Sequence, residues 1–186
     1  MSEKELSGWG IVLKPATTDD ARRLQPHLHP EWWAGMATPF PQQPEDLARL
    51  YQRGVEDPAT QLFSVFYHGE LVGKTSYYAM ALPLRLEVGA TFYLPKVWGT
   101  KVNPIAKFLL FQRAFEEFQV NRVGLRCDVR NVHSAAAIRK LGAHEEGIQR
   151  AYRVDPENRV VDTRVFSITA PEWPAVREKL LARIER

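Results

Sequence analysis

The sequence predicts an α/β (α+β) fold, in which a mixed sheet carries helices on both of its faces. Two periodicities support this prediction. Residues 122–129 alternate apolar and polar side chains as a strand does, whereas residues 104–118 place phenylalanines at helical spacing. The predicted elements follow in the order strand, two helices, three strands, helix, strand, helix, two strands and helix. Elements in this order form one sheet with helices packed on either side.

Each predicted element has a local signal in the sequence. The strands are predicted at 10–14, 61–67, 71–78, 86–94, 122–129, 143–154 and 160–168. The helices are predicted at 18–28, 44–56, 104–118, between Asn131 and Gly142, and at 171–184. Asn131 is a good helix N-cap, and Gly142 suits the left-handed residue that ends a helix. The connection from strand 86–94 through a helix to strand 122–129 is expected to be a right-handed crossover between parallel strands.

Composition bounds the class of protein. With 186 residues, of which 45% are hydrophobic and 25% charged, the chain suits a single globular domain spanning residues 1–186. No apolar run approaches the ~20 residues that span a bilayer, and the polar start is unlike a signal peptide, so no membrane partner is expected. The only cysteine, Cys127, is predicted to be a core residue; it excludes an internal disulfide and predicts a cytoplasmic location.

Charge and histidine spacing exclude two further classes. The net charge is a modest +3, and the basic residues are scattered among acidic ones, so direct binding of nucleic acid is not expected. The five histidines show no metal-ligand spacing, so no metal is predicted.

A glycine-containing segment, residues 96–103, joins a predicted central strand to the long helix 104–118. Backbone N–H groups in such a loop, together with the helix dipole, favour an anion such as phosphate, and Lys101 and Lys107 add positive charge. A plain strand-to-helix turn with solvated lysines is the alternative interpretation.

The helix after Asn131 begins with unusually small side chains. Ala135, Ala136 and Ala137 leave little bulk near its first turn. Helices that pack on a sheet usually carry larger side chains there, so the run hints that a ligand approaches closely.

These segments together resemble a known family. The residues that carry the resemblance are Leu86-Glu87-Val88-Gly89, Trp98-Gly99-Thr100 with Asn103, Asn131-Val132-His133-Ser134, residues 137–143, Glu146-Gly147 with Arg150, residues 162–168 and Glu172-Trp173-Pro174. The chain resembles the GNAT acetyltransferases and, within them, the branch of ribosomal-protein N-terminal acetyltransferases. The resemblance implies a mostly antiparallel sheet of about seven strands, with a V-shaped splay between two central parallel strands.

The resemblance also implies an acetyl-CoA site in that splay. The strand from Val88 through Phe92 would offer backbone groups to the pantetheine and to the thioester carbonyl. The loop formed by Trp98, Gly99, Thr100, Lys101, Val102 and Asn103 would cradle the pyrophosphate. Lys101-Val102 departs from the family pattern, which has a second glycine or alanine there, and the charge of Lys101 could compensate.

Catalytic residues are expected around the same site. The resemblance implies that Asn131 contacts the cofactor arm and that Ser134 faces the sulfur and protonates the leaving thiolate; helix capping is the alternative for both. Glu87, on the strand entering the cleft, and Glu146, on the strand expected to face it, are candidate general bases, although each can equally be a surface carboxylate. A terminal α-amine of pKa ~8 is about 10% free base at pH 7, so a weak carboxylate suffices for it but not for lysine.

The acceptor is the least defined part of the prediction. Trp32, Trp33 and Phe40 lie in an irregular loop and either line an acceptor cleft or pack on the first helices. His133 adjoins Ser134, but adjacent helix residues point about 100° apart, so direct amine attack is favoured over an acyl-enzyme. The predicted partners are therefore acetyl-CoA and a protein N-terminus, with a small amine (polyamine, amino acid or antibiotic) or a CoA-binding regulatory module without turnover as alternatives. The resemblance also suggests a homodimer.

Overall fold

One eight-stranded sheet forms the centre of the protein, and the computed structural model describes residues 4–33 and 35–186. Its strands are β1 (Leu6–Gly8), β2 (Ile11–Pro15), β3 (Gln61–Tyr67), β4 (Glu70–Ala81), β5 (Arg85–Tyr93), β6 (Arg122–Asp128), β7 (His144–Val154) and β8 (Val160–Thr169). Their spatial order is β1-β2-β3-β4-β5-β6-β8-β7. All neighbouring pairs are antiparallel except β5 and β6, which confirms the mostly antiparallel mixed sheet.

Strand β1 is the difference from the predicted count of about seven. It pairs with β2 through a tight turn at Trp9-Gly10, where both residues have positive φ. Only Leu6 of this strand is buried. Three residues are too few for an alternating pattern to emerge from a polar segment, which is why periodicity missed it.

Five α-helices pack on the sheet. They are α1 (Thr18–Leu24), α2 (Pro44–Glu56), α3 (Val102–Gln112), α4 (Val132–Lys140) and α5 (Trp173–Glu185). Two separate apolar clusters show that the helices cover both faces: α1 and α2 contribute to one, and α3, α4 and α5 contribute to the other. The predicted phenylalanine stripe belongs to the second cluster, with Phe108, Phe111 and Phe115 buried and Phe118 packed at its edge.

Two predicted helices have different ends in the structure. The helix predicted at 18–28 ends as an α-helix at Leu24 and continues as a 3₁₀ turn, Gln25–His27, in which Pro26 has no N–H to extend the α-helical ladder. The helix predicted at 104–118 starts earlier, at Val102, and beyond Gln112 it becomes a π-helical segment, Arg113–Glu117. Among the described residues, no helix is long and apolar enough to cross a membrane.

The parallel pair in the middle of the sheet is short. β5 and β6 are paired only through Arg85–Glu87 and Arg122–Gly124, although β5 continues to Tyr93 and β6 continues to Asp128. β6 stays paired with β8 along its whole length, so the two central strands separate beyond Glu87 and Gly124. The predicted V-shaped splay is therefore confirmed, and it leaves one backbone edge of β5 without a strand partner.

Candidate active site

A cavity of about 660 Å³ occupies the opening between β5 and β6. Its walls are the unpaired end of β5, the end of β6, the start of α4, and parts of α2 and of the loop before α2. A cavity of this size accommodates a sizeable organic ligand. The predicted site residues that line it are Val88, Phe92, Asn103, Asn131, Ser134 and Trp33.

Helix α4 positions Ser134 at the cavity wall. Asn131 caps this helix: its Oδ1 accepts a hydrogen bond from the Ser134 N–H at 2.8 Å. Ser134 is half-buried and lies beside Cys127 on β6. Burial raises the pKa of the Cys127 thiol, and the hydrogen bond with Ser134 opposes this rise only in part. Cys127 is packed against the core but also lines the cavity, so it is less enclosed than the sequence predicted.

The three alanines of α4 have different surroundings. Ala135 is buried in the core, Ala136 is exposed, and Ala137 lines the cavity one turn after Ser134. The small-residue run therefore provides open space at one position, Ala137. The sequence suggested that a ligand approaches all three alanines, but only Ala137 faces the cavity.

We name the segment leading into α3, residues 98–103, the anion-binding turn after its predicted role; it adjoins the cavity through Asn103. Gly99 has positive φ, and the Thr100 hydroxyl donates to the Val97 carbonyl at 2.6 Å and accepts from the Val102 N–H at 3.3 Å. At the start of α3 the backbone N–H groups of Lys101 and Asn103 form no backbone hydrogen bond and are available for a ligand, whereas Pro104 has no N–H to offer. Asn103 also lines the cavity with its side chain, whereas Trp98 to Val102 lie outside it.

Of the three aromatic residues predicted either to line the acceptor cleft or to pack on the first helices, one lines the cavity and two do not. Trp33 is buried, donates from Nε1 to the Thr38 carbonyl at 2.9 Å, and lines the cavity. Phe40 packs edge-on against Trp33 and does not line the cavity, as the packing alternative predicted. Trp32 is exposed and contacts Trp98 of the anion-binding turn, with ring centroids 5.2 Å apart.

Glu87 is close to the cavity but is already bound. Its carboxylate accepts from both Nε and Nη2 of Arg126, with the first contact at 2.6 Å, and its side chain is 13% exposed. Arg126 also donates to the Tyr152 hydroxyl, and burial together with Glu87 raises the pKa of Tyr78. Glu87 therefore holds Arg126 and Tyr78 at the cavity wall, where both of these side chains line it.

Glu146 is not on a strand that faces β5. It lies on β7, and both β6 and β8 separate β7 from β5. Its carboxylate accepts from Arg122 Nη2 at 2.6 Å and from the Ser167 hydroxyl at 2.7 Å, and it does not line the cavity. The expectation about its position is therefore wrong, because β8 inserts next to β6 and moves β7 to the edge of the sheet.

The ion pair between Glu146 and Arg122 should make the free energy of unfolding depend on pH. Hydrogen bonds from Arg122, and to a smaller extent from Ser167, outweigh the opposing effect of burial and lower the pKa of Glu146 to about 2. Because the folded-state pKa is depressed, this contribution to stability is present above the unfolded pKa of about 4.3 and is lost as pH falls towards 2. We expect Glu146→Gln to reduce the free energy of unfolding at pH 6 and to have a smaller effect at pH 3, measured by urea denaturation. Because the Glu146 side chain is 36% exposed, we expect the loss of unfolding free energy to be modest. If Glu146→Gln destabilised the protein equally at pH 6 and pH 3, the depressed pKa of Glu146 would be contradicted.

Two lysines that sequence reasoning did not assign to the site line the cavity. Lys107, which was expected either to add positive charge near the loop or to be solvated, is 5% exposed and donates to the hydroxyls of Thr75 at 2.8 Å and Thr91 at 2.6 Å. Burial, helped by the charge of Lys74, lowers the pKa of Lys107 to about 7, and burial lowers the pKa of Lys74 to about 8. The sequence carried a signal only for Lys107, which lies within an otherwise apolar run, Ile105 to Phe111.

Asp128, at the end of β6, is the only carboxylate among the described residues that line the cavity. It is buried and accepts from Nη2 of both Arg130 and Arg153 at 2.7 Å. Hydrogen bonds from Arg130 hold the pKa of Asp128 below its usual range. No group of three or more His, Cys, Asp or Glu side chains that could hold a metal ion is found in the described part of the chain.

Comparison with known proteins decides the family. The model of the "Acetyltransferase (GNAT) domain" matches residues 11–144, which is more than half of the chain. The chain belongs to the GNAT acetyltransferase family. It is thus an acyltransferase of the class that uses acetyl-CoA, and the predicted resemblance is confirmed at this level.

Solved structures share the GNAT fold along nearly the full chain. A protein from T. thermophilus, classed as an acetyltransferase, is 29% identical, with 99% of this chain and 98% of that chain covered and a TM-score of 0.91. A GCN5-related N-acetyltransferase from Brucella melitensis is 21% identical, with 99% and 86% covered and a TM-score of 0.90. A Salmonella typhimurium acetyl transferase that modifies the N-terminal serine of ribosomal protein L7/L12 is 13% identical, with 89% and 99% covered and a TM-score of 0.79. The last two likenesses concern the fold alone, and no curated protein matches the chain significantly in sequence.

The residues of this GNAT site fit acetyl-CoA. The unpaired edge of β5 beyond Glu87 offers backbone groups to an extended ligand, as the open edge of a sheet does. The anion-binding turn lies where this strand leads into α3 and leaves two N–H groups for phosphate oxygens. The cavity between them is long and mostly apolar, which suits a pantetheine arm.

Proposed function

We propose that this GNAT protein transfers the acetyl group of acetyl-CoA to a primary amine by direct attack on the thioester, and that the acceptor is the α-amine of a protein or peptide N-terminus. The observation that carries the proposal is the opening between β5 and β6, with Ser134 of α4 beside it. Acetyl-CoA and an amine that enter one cavity react without a covalent enzyme intermediate. Among the described residues that line the cavity there is no histidine, and the one carboxylate, Asp128, is bound by arginines, so no nucleophile is paired with either kind of base.

The cosubstrate would lie along β5. In this proposal the backbone from Val88 to Phe92 binds the pantetheine and directs an N–H at the thioester carbonyl. A preorganised donor of this kind contributes about 10²–10³ in rate. The turn from Trp98 to Asn103 would hold the pyrophosphate, with the charge of Lys101 added to the N–H groups of the first helical turn.

Bond changes follow from direct attack. The amine attacks as its free base: its nitrogen bonds to the thioester carbon, the carbon–sulfur bond breaks, and the sulfur leaves as a thiolate. The nitrogen loses one proton to solvent water and so becomes a neutral amide. Ser134 would donate its hydroxyl hydrogen bond to this sulfur, and its half-buried position on the cavity wall supports that role. Asn131 would act mainly by capping α4 and so holding Ser134 in place.

The ion pairing of the acidic side chains at the cavity supports an α-amine as the acceptor. Asp128 is bound by two arginines and Glu87 by Arg126, so neither is a free base. An acceptor of pKa ~8 supplies about 10% of its free base at pH 7 without help, whereas a lysine side chain supplies far less than 1%. We therefore keep Glu87 as a residue that positions Arg126 and Tyr78, and Glu146 as a residue that stabilises the edge of the sheet.

A small amine is the second candidate acceptor. The loop before α2 crosses the cavity at Gly35, whose carbonyl accepts from Arg153 at 3.3 Å, and such a cover favours a compact substrate. Trp33 would form the acceptor wall in either case, with Trp32 and Phe40 supporting the loop. The cytoplasmic location and the homodimer stay predictions.

The release of CoA with a panel of amines tests the proposal. The panel contains peptides with a free N-terminus, the same peptides with a blocked N-terminus and a free lysine, and small amines. We expect release with the free α-amines and little with the lysine peptides. Activity on small amines alone would favour the second candidate, and the absence of release with every amine in the panel would contradict the proposed function.

A further inference from the structure

The cavity has an excess of positive charge. Four cationic side chains and one carboxylate line it among the described residues: Lys74, Lys107, Arg126, Arg153 and Asp128. Arg126 is paired with Glu87, and Arg153 is paired with Asp128. Neither lysine forms an ion pair with any described residue. Lys107 is buried and donates to two threonine hydroxyls, whereas Lys74 is half-buried and has no such acceptor. An ammonium group partly removed from water without a counter-charge is destabilised, so this arrangement favours a ligand that brings negative charge.

Lys74 lies on the acceptor side of the sheet. Its ammonium lies 5.5 Å from the ring centroid of Tyr51 on α2, whereas the neighbouring Thr75 contacts Lys107 of α3 on the other face. Successive residues of a strand point to opposite faces, which explains this division. Lys74 therefore shares its face with Trp33 and the loop before α2, while the anion-binding turn belongs to the α3 side.

Asp20, the buried acidic side chain of α1, forms no ion pair with Lys74. The carboxylate of Asp20 accepts from the Ser64 hydroxyl at 2.8 Å and from the Thr17 N–H at 3.3 Å, and its ion pair is with Arg23 at 3.5 Å. Ser64 is the cross-strand partner of Lys74, so this network is complete beside the lysine without including it. The Lys74 ammonium has no hydrogen-bond acceptor among the described residues.

An unused hydroxyl donor accompanies the lysine. The hydroxyl of Tyr51 is buried without a hydrogen-bond partner, and Tyr51 lines the cavity on the same face as Lys74. The Tyr93 hydroxyl is also buried without a partner, but its side chain packs on the α3 face. A buried hydroxyl without a partner loses its solvation and gains nothing in return, so a ligand oxygen that accepts from it stabilises the complex. The Lys74 ammonium and the Tyr51 hydroxyl together form a donor set that matches a carboxylate.

We propose that Lys74, with Tyr51 beside it, forms a subsite for a carboxylate carried by the acceptor amine. The inference rests on the proposed function, because it assigns a chemical class to the amine: an acceptor with an acidic group near its reactive nitrogen. Two sources have this chemistry, a peptide whose first residue is acidic and a free amino acid. The subsite would bind the carboxylate of either acceptor.

Matched acceptor pairs test the subsite. The peptide arm compares a Glu-initiated peptide with its Gln-initiated counterpart, and the small-molecule arm compares leucine with leucinamide. We expect the wild-type protein to favour the acid by about 10-fold in kcat/KM in one arm, as expected for a hydrogen bond to a charged group. The arm that shows the preference identifies the source.

Variants connect that preference to Lys74. We expect Lys74→Met to abolish it, Lys74→Arg to retain part of it, and the KM for acetyl-CoA to be unchanged in both. Lys179→Met, at an exposed position of α5, is the matched control and should leave the preference intact. Equal treatment of acid and amide by the wild-type protein would overturn the subsite, as would a Lys74→Met variant whose defect is confined to the KM for acetyl-CoA.

Calorimetric binding of the same pairs in the presence of CoA separates the two proposals. If binding favours the acid in the wild-type protein but not in Lys74→Met, while no amine is acetylated, the carboxylate subsite stands and the proposed function fails. If amines are acetylated but acid and amide bind and react alike, the proposed function stands and the carboxylate subsite fails.

Discussion

Ala137→Phe is expected to weaken acetyl-CoA binding by about 10- to 100-fold, because forcing a large side chain into a well-filled site costs about 1–3 kcal/mol. Ala137 lines the cavity one turn after Ser134, where its methyl group leaves the opening clear. A phenylalanine ring there would occupy the space between α4 and the separated strands. The dissociation constant of CoA, measured by isothermal calorimetry, checks this result.

The neighbouring alanine provides the control. Ala136 lies on the same helix but is exposed and outside the cavity, so Ala136→Phe changes helix propensity and bulk without filling the site. We expect its CoA affinity to match the wild-type value. Equal affinity for both phenylalanine variants would show that CoA does not lie against α4.

Ser134→Ala is expected to slow the chemical step by about 100-fold, since a positioned proton or hydrogen-bond donor contributes about 10²–10⁴ in rate. The change removes the hydroxyl that would face the leaving sulfur but keeps the backbone N–H that Asn131 caps. Helix α4 should therefore stay folded, and the KM for acetyl-CoA should change little. Single-turnover release of CoA from the preformed complex measures the step directly.

A control and a counter-result make this prediction specific. His133→Ala alters the adjacent, exposed residue of α4, which lies outside the cavity, and should leave the rate unchanged. An unchanged single-turnover rate in Ser134→Ala would exclude the serine from leaving-group chemistry. A loss confined to helix stability, seen as a lower melting temperature with a normal rate, would assign Ser134 to capping alone.

The fold was largely predictable because its determinants are local. Alternation predicted β6, and the cap at Asn131 and the glycine at Gly142 bounded α4 almost to the residue. The short β1 and the π-helical end of α3 were missed, because three residues carry no period and both helix types share an apolar face. Strand order was accessible only through the family resemblance.

The site was predictable only in part, since it depends on contacts between distant segments. Val88, Asn131 and Ser134 line the cavity as expected because the splay follows from strand pairing. Glu146 was misplaced because nothing local indicates that β8, and not β7, pairs with β6. Lys74 and Lys107 were missed because an isolated lysine in a strand or helix is usually a solvated one, and only tertiary packing shows otherwise.

Initial rates of CoA release, measured while acetyl-CoA and an active amine are both varied, test the central claim most directly. If the cavity between β5 and β6 holds both substrates for direct attack, double-reciprocal plots intersect, because a ternary complex precedes chemistry. Parallel lines, with acetyl-enzyme detected by mass spectrometry before the amine is added, would contradict direct transfer at this site.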